Sequence, residues 1–396
     1  MTLMSGCGSG GGTNTTSGTS STTSGISSSS GASTSNVLSI TVNGSLCSSS
    51  TSSAYPNKPC VSVTVCTPGT STCQTVNDIL LDTGSYGLRI FSTALTGISP
   101  SQITSPSGGA LAECIEFGDG SSLWGPVMTA DVVLGSETAV QIPIQVVNAG
   151  FGTPTGCGTP DANPGIAGFN GILGVGLFAQ DCGTDCRDYA NNGMYYSVSG
   201  SDTVATVVPL SNQVVNPVAA LPVDNNGVIV QLPTVATAGA VSTNGSLILG
   251  IGTQTNNTPS TVTTYPSDQN AEFLTTYNGT SYSSFLDTGS NGLFFPSTSL
   301  LSACTASGYS SWYCPASAQS LSAVNAGYAG SPFGTISFTI GNAVTIFNSS
   351  NSVFSDLGGS MSGGFDWGLP FFLGRNVYVG IDGTTSNLGT GPYWAY

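Results

Sequence analysis

Two aspartates carry the chemistry that this sequence offers. Asp82 stands in Leu81-Asp82-Thr83-Gly84-Ser85-Tyr86-Gly87-Leu88, and Asp287 in Leu286-Asp287-Thr288-Gly289-Ser290-Asn291-Gly292-Leu293. The echo continues in phase to Ser92-Thr93 and Ser297-Thr298. Two carboxyls brought about 3 Å apart cannot both ionise readily, so they share one proton. The ionised member takes a proton from a bound water, which attacks a carbonyl carbon. The protonated member hydrogen-bonds the carbonyl oxygen and then protonates the leaving nitrogen. Such a site needs no metal, no cofactor and no histidine.

The neighbours of each aspartate suit that task. Gly84 and Gly289 let two loops approach closely, because a Cβ would hold them apart. Thr83 and Thr288 offer hydroxyls that can lock the loops across a two-fold axis. Ser85 and Ser290 can donate to the outer carboxylate oxygens and orient them. A lone Asp-Thr-Gly usually marks only a turn capped by an Asx hydrogen bond. Two copies in register, each followed by a further shared pattern, argue for paired use.

Composition removes most other chemistries. Nineteen acids face four bases (Lys58, Arg89, Arg187, Arg375), and there is no His. Nothing here can neutralise a phosphate backbone, so no nucleic-acid partner is expected. Ser-His-Asp and Cys-His catalysis and His-based metal sites are excluded, and no metal or other cofactor is expected. A net charge of −15 at pH 7 repels itself least when the carboxyls are protonated, so a protein more stable in acid than near pH 8 is expected.

The elements that must hold the two aspartates read as β-strands. Hydrophobic residues make up 39% of the chain and charged residues 6%, with Gly and Pro scattered throughout. That pattern fits an all-β chain with many turns. Strand-like alternation runs through 37–42 and 60–66, and an apolar strand over 76–81 leads into the first aspartate. The second repeated pattern is Phe169-Asn170-Gly171-Ile172-Leu173-Gly174 after the first aspartate and Phe365-Asp366-Trp367-Gly368 after the second. The expected organisation is a disordered Ser/Thr/Gly-rich tether over 1–36, a β lobe over 37–252 with the first aspartate, and a β lobe over 253–396 with the second.

With these motifs in hand, the chain resembles the pepsin-like, two-lobed aspartic proteases. Members carry an Asp-Thr/Ser-Gly in each lobe, followed by two apolar residues and Gly. Here these are Asp82-Thr83-Gly84 with Ile172-Leu173-Gly174, and Asp287-Thr288-Gly289 with Asp366-Trp367-Gly368, where Asp366 replaces an apolar residue. The resemblance implies a cleft between lobes related by a pseudo-two-fold axis. It also implies a flap over the cleft, for which Phe117-Gly118-Asp119-Gly120-Ser121 is the matching segment. Phe117 stands where a flap tyrosine is usual, and Trp124 or Tyr86 is the available substitute. Residues 1–57 hold no Lys or Arg, so a basic masking segment is missing from this stretch.

The function so implied is an aspartic endopeptidase acting on peptide or protein substrates at acidic pH, with Asp82 and Asp287 as catalysts. A monomer is expected. Apolar cleft walls are expected from Phe117, Leu88, Ile90, Leu293 and Phe295. The rival readings are a non-catalytic peptide- or protein-binding protein on the same scaffold and an adhesin-like structural protein.

Eleven Cys point to an oxidising compartment. Cys304 and Cys314 are expected to pair, Cys182 and Cys186 to close a small loop, and the connectivity of the rest stays open. Cys7, after Met4-Ser5-Gly6, reads as a lipid-anchor site, with a free Cys in a disordered tail as the alternative. The charged and apolar parts of a signal are missing before it, so a start upstream of Met1 is expected. The protein is thus expected to be secreted or held in the cell envelope as a periplasmic or outer-surface lipoprotein.

Overall fold

Valines at alternate positions set the first well-defined strands. In Pro59–Cys66, Val61, Val63 and Val65 are buried while Ser62 and Thr64 reach towards solvent. This is the period-2 burial of a strand covered on one face. The next strand, Cys73–Asp82, changes character along its length. Its outer half alternates, and its last five residues, from Asp78 to Asp82, are all buried. A run buried on both faces belongs in the middle of a sheet, and Cys73–Asp82 indeed lies between Pro59–Cys66 and Gly171–Val175.

The computed structural model describes residues 35–48, 55–152 and 156–396. Cys7 and nearly all of the expected tether lie outside the described residues. The fold is all-β. Among the described residues no α-helix exceeds five residues, and none is long and apolar enough to cross a membrane. One sheet of sixteen strands contains every major strand from Val37–Val42 to Thr243–Leu249, and Thr264–Pro266, Arg375–Gly380 and Tyr393–Ala395 as well. A seven-stranded sheet is built from segments between Phe273 and Trp367. The sheets are not cleanly partitioned along the chain, because Arg375–Gly380 pairs with Gly227–Leu232.

A pseudo-two-fold relation is visible in the pairing itself. In the first half, Cys73–Asp82 runs parallel to Gly171–Val175, which is antiparallel to Tyr86–Phe91. In the second half, Thr280–Leu286 runs parallel to Gly364–Trp367, which is antiparallel to Leu293–Phe295. Leu81 pairs with Leu173 as Leu286 pairs with Trp367. Each aspartate therefore leaves a strand at the same place in an equivalent three-stranded unit.

The interior beneath these units is apolar and aromatic. Phe295 stacks on Phe365 at 4.9 Å and Phe365 on Trp367 at 4.3 Å. Such pairs add about 0.5–1.5 kcal/mol each beyond area burial. Leu88, Ile90, Leu293 and Phe295 are buried in this main core. They do not wall a cleft, which corrects the expectation for those four.

Five disulfides join Cys47 to Cys60, Cys66 to Cys73, Cys114 to Cys157, Cys182 to Cys186, and Cys304 to Cys314. Five bridges fit an extracytoplasmic, oxidising compartment.

Candidate active site

The two Asp-Thr-Gly loops interlock through their threonines. The Thr83 amide donates to Thr288 Oγ1 at 3.1 Å, and the Thr288 amide donates to Thr83 Oγ1 at 3.0 Å. Each hydroxyl then donates to the strand that precedes the opposite loop. Thr83 Oγ1 reaches the Leu286 carbonyl at 2.9 Å, and Thr288 Oγ1 reaches the Leu81 carbonyl at 2.7 Å. All four bonds are buried, where an unmade partner would be costly.

This clasp brings the carboxyls together. A Cβ on Gly84 would lie 2.7 Å from Cγ of Asp287, and one on Gly289 would lie 2.9 Å from Cγ of Asp82. Each loop glycine thus gives room to the opposite aspartate. Within each loop the carboxyl is fixed twice. Asp82 Oδ1 accepts from the Gly84 amide at 2.8 Å, and Asp287 Oδ1 from the Gly289 amide at 2.7 Å. Asp82 Oδ2 accepts from the Ser85 hydroxyl, and Asp287 Oδ2 from the Ser290 hydroxyl at 2.7 Å.

The acids are nearly buried, at 6% and 7% exposure, so solvent reaches them only at one edge. Burial first, then the charge of Asp287 and a hydrogen bond to it, holds the Asp82 carboxyl well above the usual carboxylate range. The bonds from Ser85 and Gly84 oppose this without cancelling it. Asp82 therefore keeps its proton to higher pH than a free carboxyl does.

The segment expected to form a flap is the tip of the antiparallel hairpin Ala110–Glu116 and Ser122–Leu134. The tip closes with the Phe117 amide on the Ser121 carbonyl and the Gly120 amide on the Phe117 carbonyl, both at 2.9 Å. Gly120 holds a φ of 85°, which suits glycine. Asp119 caps the turn, accepting from the Ser121 amide and hydroxyl, and Gly118 is exposed at the tip. Phe117 is half-buried against a cluster that includes Leu80, Ile115 and Ile172.

Neither suggested substitute for a flap tyrosine lies there. Trp124 is fully buried and donates to the Phe151 carbonyl, and Tyr86 packs edge-on against Phe178. Tyr55 packs against the same cluster as Phe117. Its hydroxyl donates to the Gly289 carbonyl at 3.0 Å. Burial, with Asp287, Asp82 and Asp119 nearby, raises its pKa well above the ordinary tyrosine value. Asn57 anchors the same segment to the second half through the Asn291 and Phe354 carbonyls, and it accepts from the Phe354 amide at 2.7 Å. The sequence offered one clue to this residue: Tyr55 is the first aromatic in the chain and stands between Cys47 and Cys60.

Asp366, the irregular member of the second Gly motif, is fully buried, and neither carboxyl oxygen has a hydrogen-bond partner. The Ser290 hydroxyl lies beside it and favours the ionised form, though less than burial and Asp287 oppose it. Burial and then the charge of Asp287 hold Asp366 well above the ordinary value.

Cys47, Cys60 and Asp78 also cluster, but the two sulfurs are bonded to each other and Asp78 is paired with Lys58 at 2.6 Å. That group has no free thiolate to offer a metal.

No curated protein matches the chain. Among solved structures it is similar to the aspartic proteinase from Irpex lacteus. The two are 19% identical with a TM-score of 0.49, over 91% of this chain and 96% of that one. From residue 32 to residue 396 the sequence matches the family described as "Protein of unknown function (DUF3443)", and the chain belongs to that family.

Proposed function

We propose that this protein is an aspartic endopeptidase in which Asp82 and Asp287 activate one water. The observation that carries the reading is the reciprocal clasp, in which each aspartate is seated against the other loop's glycine. Asp82, the carboxyl held neutral, hydrogen-bonds the scissile carbonyl oxygen. Asp287 accepts a proton from the water as its oxygen bonds to the carbonyl carbon. The tetrahedral intermediate then collapses with proton transfer to the departing nitrogen, and the C–N bond breaks. Ser85, Ser290, Gly84 and Gly289 orient the carboxyls, Thr83 and Thr288 hold the loops together, and the tip from Phe117 to Ser121 covers the substrate. Cys7 is proposed to anchor the chain to an envelope membrane, and the segments around each aspartate are proposed to act as two lobes.

The alternative is a protein on the same scaffold that holds peptides without cutting them. Pepstatin separates the two. The protease reading expects casein cleavage near pH 4 that pepstatin blocks. Pepstatin binding by calorimetry with no cleavage across acidic pH would favour the binding protein.

A further inference from the structure

Asp366 occupies a place that the pseudo-two-fold relation marks out. It pairs with Phe285 on one side and Phe294 on the other. Its counterpart in the first half is Ile172, which pairs with Leu80 and Arg89 and sits in the apolar cluster under the flap. The second half thus puts a carboxyl where the first puts a hydrocarbon.

Among the described residues that carboxyl has no ion-pair partner. The chain's four bases (Lys58, Arg89, Arg187, Arg375) all have their partners elsewhere. The paired strands bring two phenylalanines, and among the described residues the titratable groups that face Asp366 are Asp287 and, further off, Asp82. Burial and the charge of Asp287 favour the neutral acid more than the nearby Ser290 hydroxyl favours the ionised one. Asp366 then has an O–H of its own to place.

Ser290 is the acceptor within reach. Its single proton goes to Asp287 Oδ2 at 2.7 Å, so towards Asp366 it can only accept. The backbone holds the two in place, with the Asp287 amide on the Trp367 carbonyl at 3.1 Å and the Leu369 amide on the Ser290 carbonyl at 2.7 Å.

We propose that Asp366 is a third carboxyl of the site, a positioning residue that carries its own proton and donates it to Ser290, so that the Ser290 hydroxyl stays turned to Asp287. The inference rests on the protease reading for its kinetic consequence. When Asp366 ionises, it competes for the Ser290 proton and sets a second negative charge beside Asp287. The alkaline limb of activity therefore carries the loss of the Asp366 proton as well as that of the Asp82 proton.

The test uses the full chain with D366N, D366L and S290A. Asn keeps an N–H for Ser290 and cannot ionise. D366N is expected to move the alkaline limb of kcat/KM to higher pH. D366L is expected to lower kcat roughly ten- to a hundredfold, as a misplaced group does. A D366N profile that coincides with wild type would overturn the proposal and leave the protease reading standing. Infrared difference spectra near pH 7 read the proton without catalysis. A protonated-carboxyl band that disappears in D366N and shifts in S290A supports the proposal even if no peptide is cut. Absence of that band in wild type, or no shift in S290A, overturns it, and D366N keeps the test open if D366L fails to fold.

Discussion

At the scale of single residues, the loops work by exclusion and by reach. A methyl group on Gly84 would press on the Asp287 carboxyl at 2.7 Å, and flanking threonines leave the loop no room to retreat. Gly84→Ala is expected to abolish cleavage while circular dichroism still reports a β-fold. The threonines are a matched pair, so their loss is coupled. Thr83→Val strands the Thr288 amide and the Leu286 carbonyl, at a cost of at least about 2 kcal/mol. Thr83→Val with Thr288→Val is expected to cost less than the two single changes added, because either one breaks the same clasp. Urea unfolding of the three variants checks this. The duplicated motif made these residues legible, since a repeat in register survives any ambiguity of strand boundaries. Asp366 was legible only as an irregularity. Its partners come from pairing across three strands, which one sequence does not print.

At the scale of elements, the site is a meeting of two strand exits, a hairpin and a short crossing segment. The strands were readable from apolar alternation and the hairpin from the family resemblance. The crossing segment was not. Tyr55 to Asn57 follows a polar stretch with no period, and only tertiary contacts with Gly289, Asn291 and Phe354 give it a place. The apolar residues after each aspartate were misread as cleft walls for the same reason, because a fully buried strand gives no sign of which face looks towards substrate. A peptide that uses the Gly289 carbonyl must displace the Tyr55 hydroxyl. Tyr55→Phe removes that competitor and keeps the ring. It is expected to lower KM by about two- to tenfold, the worth of one ordinary hydrogen bond, with kcat little changed. A higher KM would make Tyr55 a substrate contact instead.

At the scale of the whole molecule, the balance of acids over bases has a structural counterpart. Several carboxyls are held above their ordinary values by burial first. Asp181 is then raised by Glu113, Glu137 by a hydrogen bond to Asp224, and Asp366 by Asp287. Asp356 is raised by burial alone. A carboxyl whose value is higher folded than unfolded makes the folded state bind more protons. Its contribution to stability is full below the unfolded value near pH 4 and is lost as pH rises through the raised folded value. Asp188, held low by Arg187, pulls the other way, but that pair is about half exposed and counts for little. Tm is therefore expected to fall on the order of 5 °C or more between about pH 4 and pH 8, and scanning calorimetry across that range would read it. The excess of acids was plain in the composition. Which of them are buried was not, because burial depends on where strands cross.

The claim beneath all three scales is that two carboxyls seated across one clasp divide the work of cutting a peptide bond. The measurement closest to it is kcat for casein cleavage near pH 4 by the wild-type chain, Asp82→Asn and Asp287→Asn. The expected result is a loss of about 10²- to 10⁴-fold in each variant, with the double variant no worse than the poorer single one. Cleavage that persists in either variant within a few-fold of wild type would contradict the account.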